Sequence, residues 1–270
     1  MKLSIAIADS GALPSAFVVF RGFEASMKAA SELGYNGIEL ALKRPEEVQP
    51  EKMDALLAQY NLEVSAISTG QVYADLGLSF SDPPSAKKEG LVKMFHDFID
   101  LASVYGGKVN IGRVRGNKGT LNPDEPVARF VETVRDLSAY AKPKGVTLLM
   151  EPVNRYELDF INSVEEGARI VEQIGADNIK LMPDVFHMNI EDVTIGGELE
   201  KWIDKIGYIH LADSNRLAPG QGHTDFDDIF RHLEKAGYSG WVSVEILPKP
   251  EPYTAAKQAA AFLEKYLRTE

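Results

Sequence analysis

Short apolar runs alternate with helix-like segments along the whole chain, and this alternation constrains its fold more than any other feature. Runs at residues 3–8, 37–40, 64–68, 108–111, 146–150, 179–182, 208–210 and 241–246 have the length and character of buried strands. Helix-like segments fall between and after them, at 24–33, 45–60, 84–105, 122–142, 163–174, 226–235 and 253–267. Gly34, Gly106-Gly107 and Gly237 stand where helices should stop, because glycine readily takes the left-handed conformation that ends a helix. Pro45 suits a first helical turn, and Asn122 followed by Pro123 reads as an N-cap. The segment 190–205 is interrupted by Gly196-Gly197 and reads as one short helix plus a loop. Eight βα units in 270 residues predict an α/β fold, a single (β/α)8 TIM barrel over residues 1–270 with no linker to a second domain. The rival, an open doubly wound sheet, would carry a glycine-rich phosphate loop after an early strand. Neither GxGxxG nor GxxxxGK(S/T) is present.

In such a barrel the C-terminal ends of the strands share one mouth, where active sites form. Glu151, Asp184, His210 and Glu245 stand at or just past the ends of the fifth to eighth runs. Carboxylates and imidazoles are costly to bury without partners. Neighbouring strand ends lie roughly 5 Å apart, so adjacent side chains can reach one ion. Any one of the four alone would more often be a polar residue at a loop start. Four in succession favour a divalent cation. Oxygen-rich ligation with one imidazole suits Mn²⁺, with Mg²⁺ or Co²⁺ as alternatives, better than a closed structural zinc site.

The net charge of −11 and pI near 5.0 argue against a nucleic-acid or anionic-membrane partner. There are no cysteines, which excludes disulfides and thiolate metal sites and fits a reducing compartment. No apolar run approaches the roughly 20 residues needed to span a bilayer. Residues 1–8 read as a strand rather than a signal peptide. A cytoplasmic protein with a small-molecule substrate is expected.

Five stretches carry a family resemblance: Glu151-Pro152-Val153-Asn154-Arg155-Tyr156-Glu157, Asp184-Val185-Phe186-His187-Met188-Asn189, His210-Leu211-Ala212-Asp213-Ser214-Asn215-Arg216, Gly220-Gln221-Gly222-His223 and Ser243-Val244-Glu245. Together they resemble the D-tagatose 3-epimerase/D-psicose 3-epimerase group of the xylose-isomerase-like sugar isomerase and epimerase barrels. The resemblance lies in the second half of the chain; the first half matches in its βα rhythm. It implies that Glu151, Asp184, His210 and Glu245 are metal ligands and that Glu151 and Glu245 are also the acid/base pair. It implies that Glu157, His187 and Arg216 bind the carbonyl end of a ketose, and that the protein forms homodimers or homotetramers. A surface acid is the alternative for Glu157, a hydrogen-bonded loop histidine for His187, and a surface ion pair for Arg216.

The expected activity is therefore metal-dependent epimerisation at C3 of a ketose through an enediolate. An aldose–ketose or hydroxypyruvate-type isomerase, or a polyol dehydratase, on the same site is the alternative. Five histidines and the acidic charge argue against a multi-zinc DNA-repair endonuclease on this barrel type. The paired Glu151 and Glu245 argue against a barrel that merely binds sugar. Among other residues, Glu39 reads equally as an acid behind the site or a structural hydrogen bond. Residues 68–71 read as pocket lining. Arg113 and Arg115 read as a solvated basic loop, with contact to a phosphate or carboxylate as the alternative. His223 reads as orienting a neighbour, His96 and His232 as structural or exposed helix residues, and Phe186 and Trp241 as core.

Overall fold

The computed structural model describes residues 1–14 and 16–267. Its barrel strands are β1 (Lys2–Ala8), β2 (Gly37–Ala41), β3 (Glu63–Ser68), β4 (Lys108–Ile111), β5 (Thr147–Met150), β6 (Ile179–Leu181), β7 (Ile209–Leu211) and β8 (Trp241–Val244). They pair in parallel in the order β6-β5-β4-β3-β2-β1-β8-β7. Two isolated parallel bridges, Leu181 with Ile206 and Asp184 with His210, join the ends of that order and close the barrel. A two-residue strand, Phe20–Arg21, pairs with the end of β1.

A strand sends alternate side chains to opposite faces. One face here is aliphatic: Ile5 and Ile7, Ile38 and Leu40, Val109 and Ile111, Leu148 and Met150, Val242 and Val244 are all buried. These pack with helix residues such as Phe95, Phe98 and Phe130 in one continuous core, each large side chain contributing about 1.5–3 kcal/mol. The opposite face fills the barrel and is mostly small or polar: Ser4, Ala6, Glu39, Asn110, His210 and Ser243 are buried there, with Leu149 in a small apolar cluster beside Ala66, Met182 and Tyr208. The same parity continues past the strand ends. Glu151 is two residues beyond Leu149 and Glu245 two beyond Ser243, so both turn inward over the mouth.

The structure departs from the sequence expectations in four places. Residues 45–60 are not one helix but a 3-10 turn, Pro45–Glu47, followed by a helix Pro50–Tyr60. Pro50 forces the preceding Gln49 into an extended conformation, which splits the segment. The segment 190–205 divides differently from expectation. A helix Val185–Glu191 precedes a helix Ile195–Lys201, and Gly196-Gly197 lie inside the latter. A Cβ on Gly196 would fall 2.5 Å from Asp228 Oδ2, so this glycine serves the close approach of the helix Phe226–Lys235 rather than a break. Asn122 is not an N-cap; the helix is Asp124–Ala141, and the Asn122 amide donates to Glu125 instead (2.9 Å). An additional short helix, Gly70–Leu76, follows β3. Among the described residues no helix is long and apolar enough to cross a membrane.

Candidate active site and metal centre

Strand parity and one helix N-terminus bring the four expected ligands together. Glu151, Asp184, His210 and Glu245 each offer a ligand atom, and these atoms all lie within 4.8 Å of one another. His210 sits within β7 and is wholly buried, with Nδ1 3.3 Å from Glu151 Oε1 and 3.7 Å from Glu245 Oε2. Asp184 caps the helix Val185–Glu191 through Oδ1, which accepts from Phe186 N (2.9 Å). Its other oxygen, Oδ2, is buried without a hydrogen-bond partner and faces the cluster, 3.1 Å from Arg216 Nη1. A buried carboxylate oxygen that accepts no hydrogen bond, beside two further carboxylates and an imidazole, fits a divalent cation by donor type. The cluster can hold such an ion.

The charges follow from the geometry. Burial pushes the Glu151 carboxyl upward, but the hydrogen bond and charge of His210 and the Asn110 amide (3.0 Å) win and hold it at about 2. Burial raises Glu245 to about 8, against the pull of His210 and Arg216. Burial alone would lower His210, yet the carboxylates of Glu39, Glu245 and Glu151 outweigh it and hold the imidazole well above its ordinary value.

The three residues expected to bind substrate converge on the same mouth. Arg216 has a left-handed backbone (φ 60°), and its carbonyl accepts from Leu247 N (2.8 Å). A non-glycine residue in that conformation is held by its surroundings, a common condition at functional sites. Its guanidinium lies between the rings of Phe17 and Phe186, 4.5 and 4.7 Å from their centroids, and donates to Glu245. His187 is buried; Asn154 Nδ2 lies 2.7 Å from its Nδ1, and its Nε2 is 3.4 Å from Arg216 Nη1. Burial lowers the His187 pKa, so the ring is neutral at pH 7. Glu157 lies near Asn154 Nδ2 (3.4 Å) and 3.9 Å from Arg113. Glu151, Glu157, His187, Arg216 and Glu245 border one pocket, lined also by Phe17, Gln71 and Arg113. Of residues 68–71, Ser68, Gly70 and Gln71 line this pocket as expected. His96, stacked on Tyr140, His223, bonded to Ser214, and His232, paired with Glu200, contribute nothing to its lining.

Arg115 corrects the expectation of a solvated basic loop. It is wholly buried and donates to the carbonyls of Gly112, Glu151, Phe160 and Ile161 at 2.7–3.0 Å. It thereby fixes the backbone that carries Glu151. No sequence signal separates a buried arginine after a strand from an exposed one. Arg115→Met would leave these carbonyls without their charged donor, and a loss on the order of 3 kcal/mol in urea-unfolding stability is expected. A loss below about 1 kcal/mol would mean that the carbonyls find other donors. Asn110 and Asn154, holding Glu151 and His187, were likewise not singled out from sequence.

The model of the xylose isomerase-like TIM barrel family matches residues 27–266. The chain belongs to this family. It is 32% identical to an L-ribulose 3-epimerase of Mesorhizobium japonicum over 226 residues, 82% of this chain and 74% of the relative. It is 30% identical to a D-psicose 3-epimerase of Enterocloster bolteae over 238 residues, 84% of this chain and 77% of the relative. Among solved structures, a D-allulose 3-epimerase from Methylomonas sp. superposes with a TM-score of 0.81 at 23% identity, over 99% of both chains. That likeness bears on the fold. With curated relatives of this kind, this barrel protein is an enzyme of the isomerase class.

Proposed function

We propose that this xylose isomerase-like protein is a divalent-metal-dependent ketose 3-epimerase, with residues 1–270 acting as one barrel domain. One observation carries the reading: Glu151, Asp184, His210 and Glu245 offer ligand atoms within 4.8 Å of one another, and Glu151 and Glu245 also line a pocket at the barrel mouth. The named L-ribulose and D-psicose 3-epimerase relatives support a sugar as substrate. Those four residues would hold the ion, Mn²⁺ by preference with Mg²⁺ or Co²⁺ as alternatives, and it would supply a Lewis acid and a template for the carbonyl and its neighbouring hydroxyl.

The chain's own residues do the rest. Glu151 and Glu245 project from the ends of β5 and β8, so one can take the C3 proton from one face and the other return a proton to the opposite face. Asn110 and His210 orient Glu151, and Arg216 orients Glu245. His187 lies between the Asn154 amide at Nδ1 and the Arg216 guanidinium at Nε2, so it is held in place where it borders the pocket. Arg216 and Glu157 hold the carbonyl end, and Phe17 and Phe186 keep water from the guanidinium. The substrate on this reading is a free ketose, and the protein works as a homodimer or homotetramer in the cytoplasm.

The test is a panel of free and phosphorylated ketoses incubated with enzyme and Mn²⁺ in deuterated water. NMR should find deuterium at C3 together with the C3 epimer; absence of C3 exchange in every ketose would refute the reading. One observation favours a second reading, an isomerase of the hydroxypyruvate type. Arg113 stands at the pocket edge with Glu157 3.9 Å away, placed to meet a carboxylate. A hydroxypyruvate isomerase of Escherichia coli is 25% identical over 237 residues, 84% of this chain and 88% of the relative. Conversion of hydroxypyruvate without C3 exchange in any ketose would select that reading.

A further inference from the structure

Glu39 lies in the middle of β2, wholly buried, on the strand face that fills the barrel. Its register partners on the flanking strands are Ala6 and Ala66. Their small side chains leave room for the glutamate to cross the barrel toward β7. There both carboxylate oxygens meet His210 Nε2, at 2.9 and 3.0 Å. The hydroxyl of Tyr208 donates to the same carboxylate at 3.1 Å. Behind it, Ser65 lies 2.7 Å from Tyr208 Oη and Ser4 lies 2.7 Å from Ser65 Oγ. Ser65 also reaches the Ile38 carbonyl (3.0 Å), so this group of hydroxyls is anchored to β2 beside the glutamate. A carboxylate this deep in a barrel is destabilising unless it is fully partnered, and here every partner fixes its position.

We propose that Glu39 is a positioning residue for the candidate metal centre. It holds the His210 ring in one orientation by accepting from Nε2–H, so that Nδ1 is the nitrogen turned toward Glu151 and Glu245 and the one an ion would take. The inference rests on the metal reading of the site given above. An imidazole has two nitrogens, and only the one without a proton can bind a cation. A carboxylate accepting from Nε2–H settles which nitrogen that is, and it also increases the basicity of the other. Without Glu39 the ring can rotate or take the other tautomer, in which Nδ1 carries the proton and cannot ligate. The pairing also explains why an acid stands at this inward position of β2 although Glu39 does not line the pocket.

The experiment compares wild type with Glu39→Gln, which keeps side-chain volume. Mn²⁺ affinity is measured by titration calorimetry on chelator-treated protein, and thermal unfolding is followed without metal. The expected result is a Kd for Mn²⁺ raised about 10- to 100-fold in the variant. In parallel, ¹⁵N-histidine NMR of wild type loaded with diamagnetic Mg²⁺ should show His210 protonated at Nε2 and not at Nδ1. A Kd within twofold of wild type would overturn the inference, even if the variant unfolds at lower temperature, since Glu39 would then serve packing alone. Should the variant fail to fold, the wild-type spectrum decides: protonation at Nδ1 overturns the inference and protonation at Nε2 supports it. Wild type that binds neither Mn²⁺ nor Mg²⁺ would overturn the metal reading along with the inference, whereas undiminished binding in the variant overturns the inference alone.

Discussion

Glu245→Gln is expected to lower turnover of a responsive ketose by a factor on the order of 10³, the range for losing a positioned acid or base. The substitution is nearly isosteric. The amide oxygen can still accept from Arg216, which donates to Glu245 in the wild-type structure. What the amide cannot do is take up or release a proton. Weaker metal binding would confuse the result, so kcat is measured at saturating Mn²⁺. Glu151→Gln should have an effect of the same order, because epimerisation needs a proton taken on one face and given on the other. Deuterium exchange at C3 separates the two half-reactions. The variant that keeps exchange but loses net epimerisation lacks only the returning acid. A kcat within tenfold of wild type for both variants would remove these glutamates from the chemistry.

Removal of metal is the second large effect expected. Dialysis against a chelator should lower activity more than about 100-fold, as loss of a Lewis acid worth several kcal/mol requires, and added Mn²⁺ should restore it. Bound ion should also raise the melting temperature, since a ligand at about 100 times its Kd adds about 2.7 kcal/mol of stability. The pH dependence has a definite sign. Burial would lower His210, but Glu39, Glu245 and Glu151 outweigh it and hold it well above its ordinary value, so protonation of the imidazole is favoured when no ion is bound. An incoming cation must displace the Nδ1 proton. Affinity therefore falls as pH falls, and each binding event releases protons. Mn²⁺ titrations at pH 6 and pH 8 check this; equal or tighter binding at pH 6 would contradict it.

Two kinds of information produce this site, and they were unequally legible. The ends of the fifth to eighth strands were readable because a buried strand is a short apolar run and a charged residue at its end stands out. Glu151, Asp184, His210 and Glu245 are such residues, and they do meet. Glu157, His187 and Arg216 were named from motif resemblance, and all three line the pocket. The supporting residues were hidden. Arg115 looks in sequence like any loop arginine, and its burial depends on carbonyls at positions 160 and 161, far along the chain. Glu39 presented two equal readings because its partner His210 lies 171 residues away. Local boundaries failed for a similar reason: Gly196 reads as a helix breaker until Asp228 is seen packed against it.

The sequence by itself determined the barrel class, the strand parity that turns Glu151, His210 and Glu245 inward, and the identity of the four converging groups. Periodicity and residue type are local properties, and a chain displays them without folding. Only the tertiary structure decided that Nδ1 of His210 faces Glu151 while Nε2 faces Glu39, that Arg216 bridges Asp184 and Glu245 between two aromatic rings, and that Arg115 is buried against the backbone of Glu151. Those are contacts between segments remote in sequence, and closure of the barrel, which sets Asp184 beside His210, is what brings such segments together.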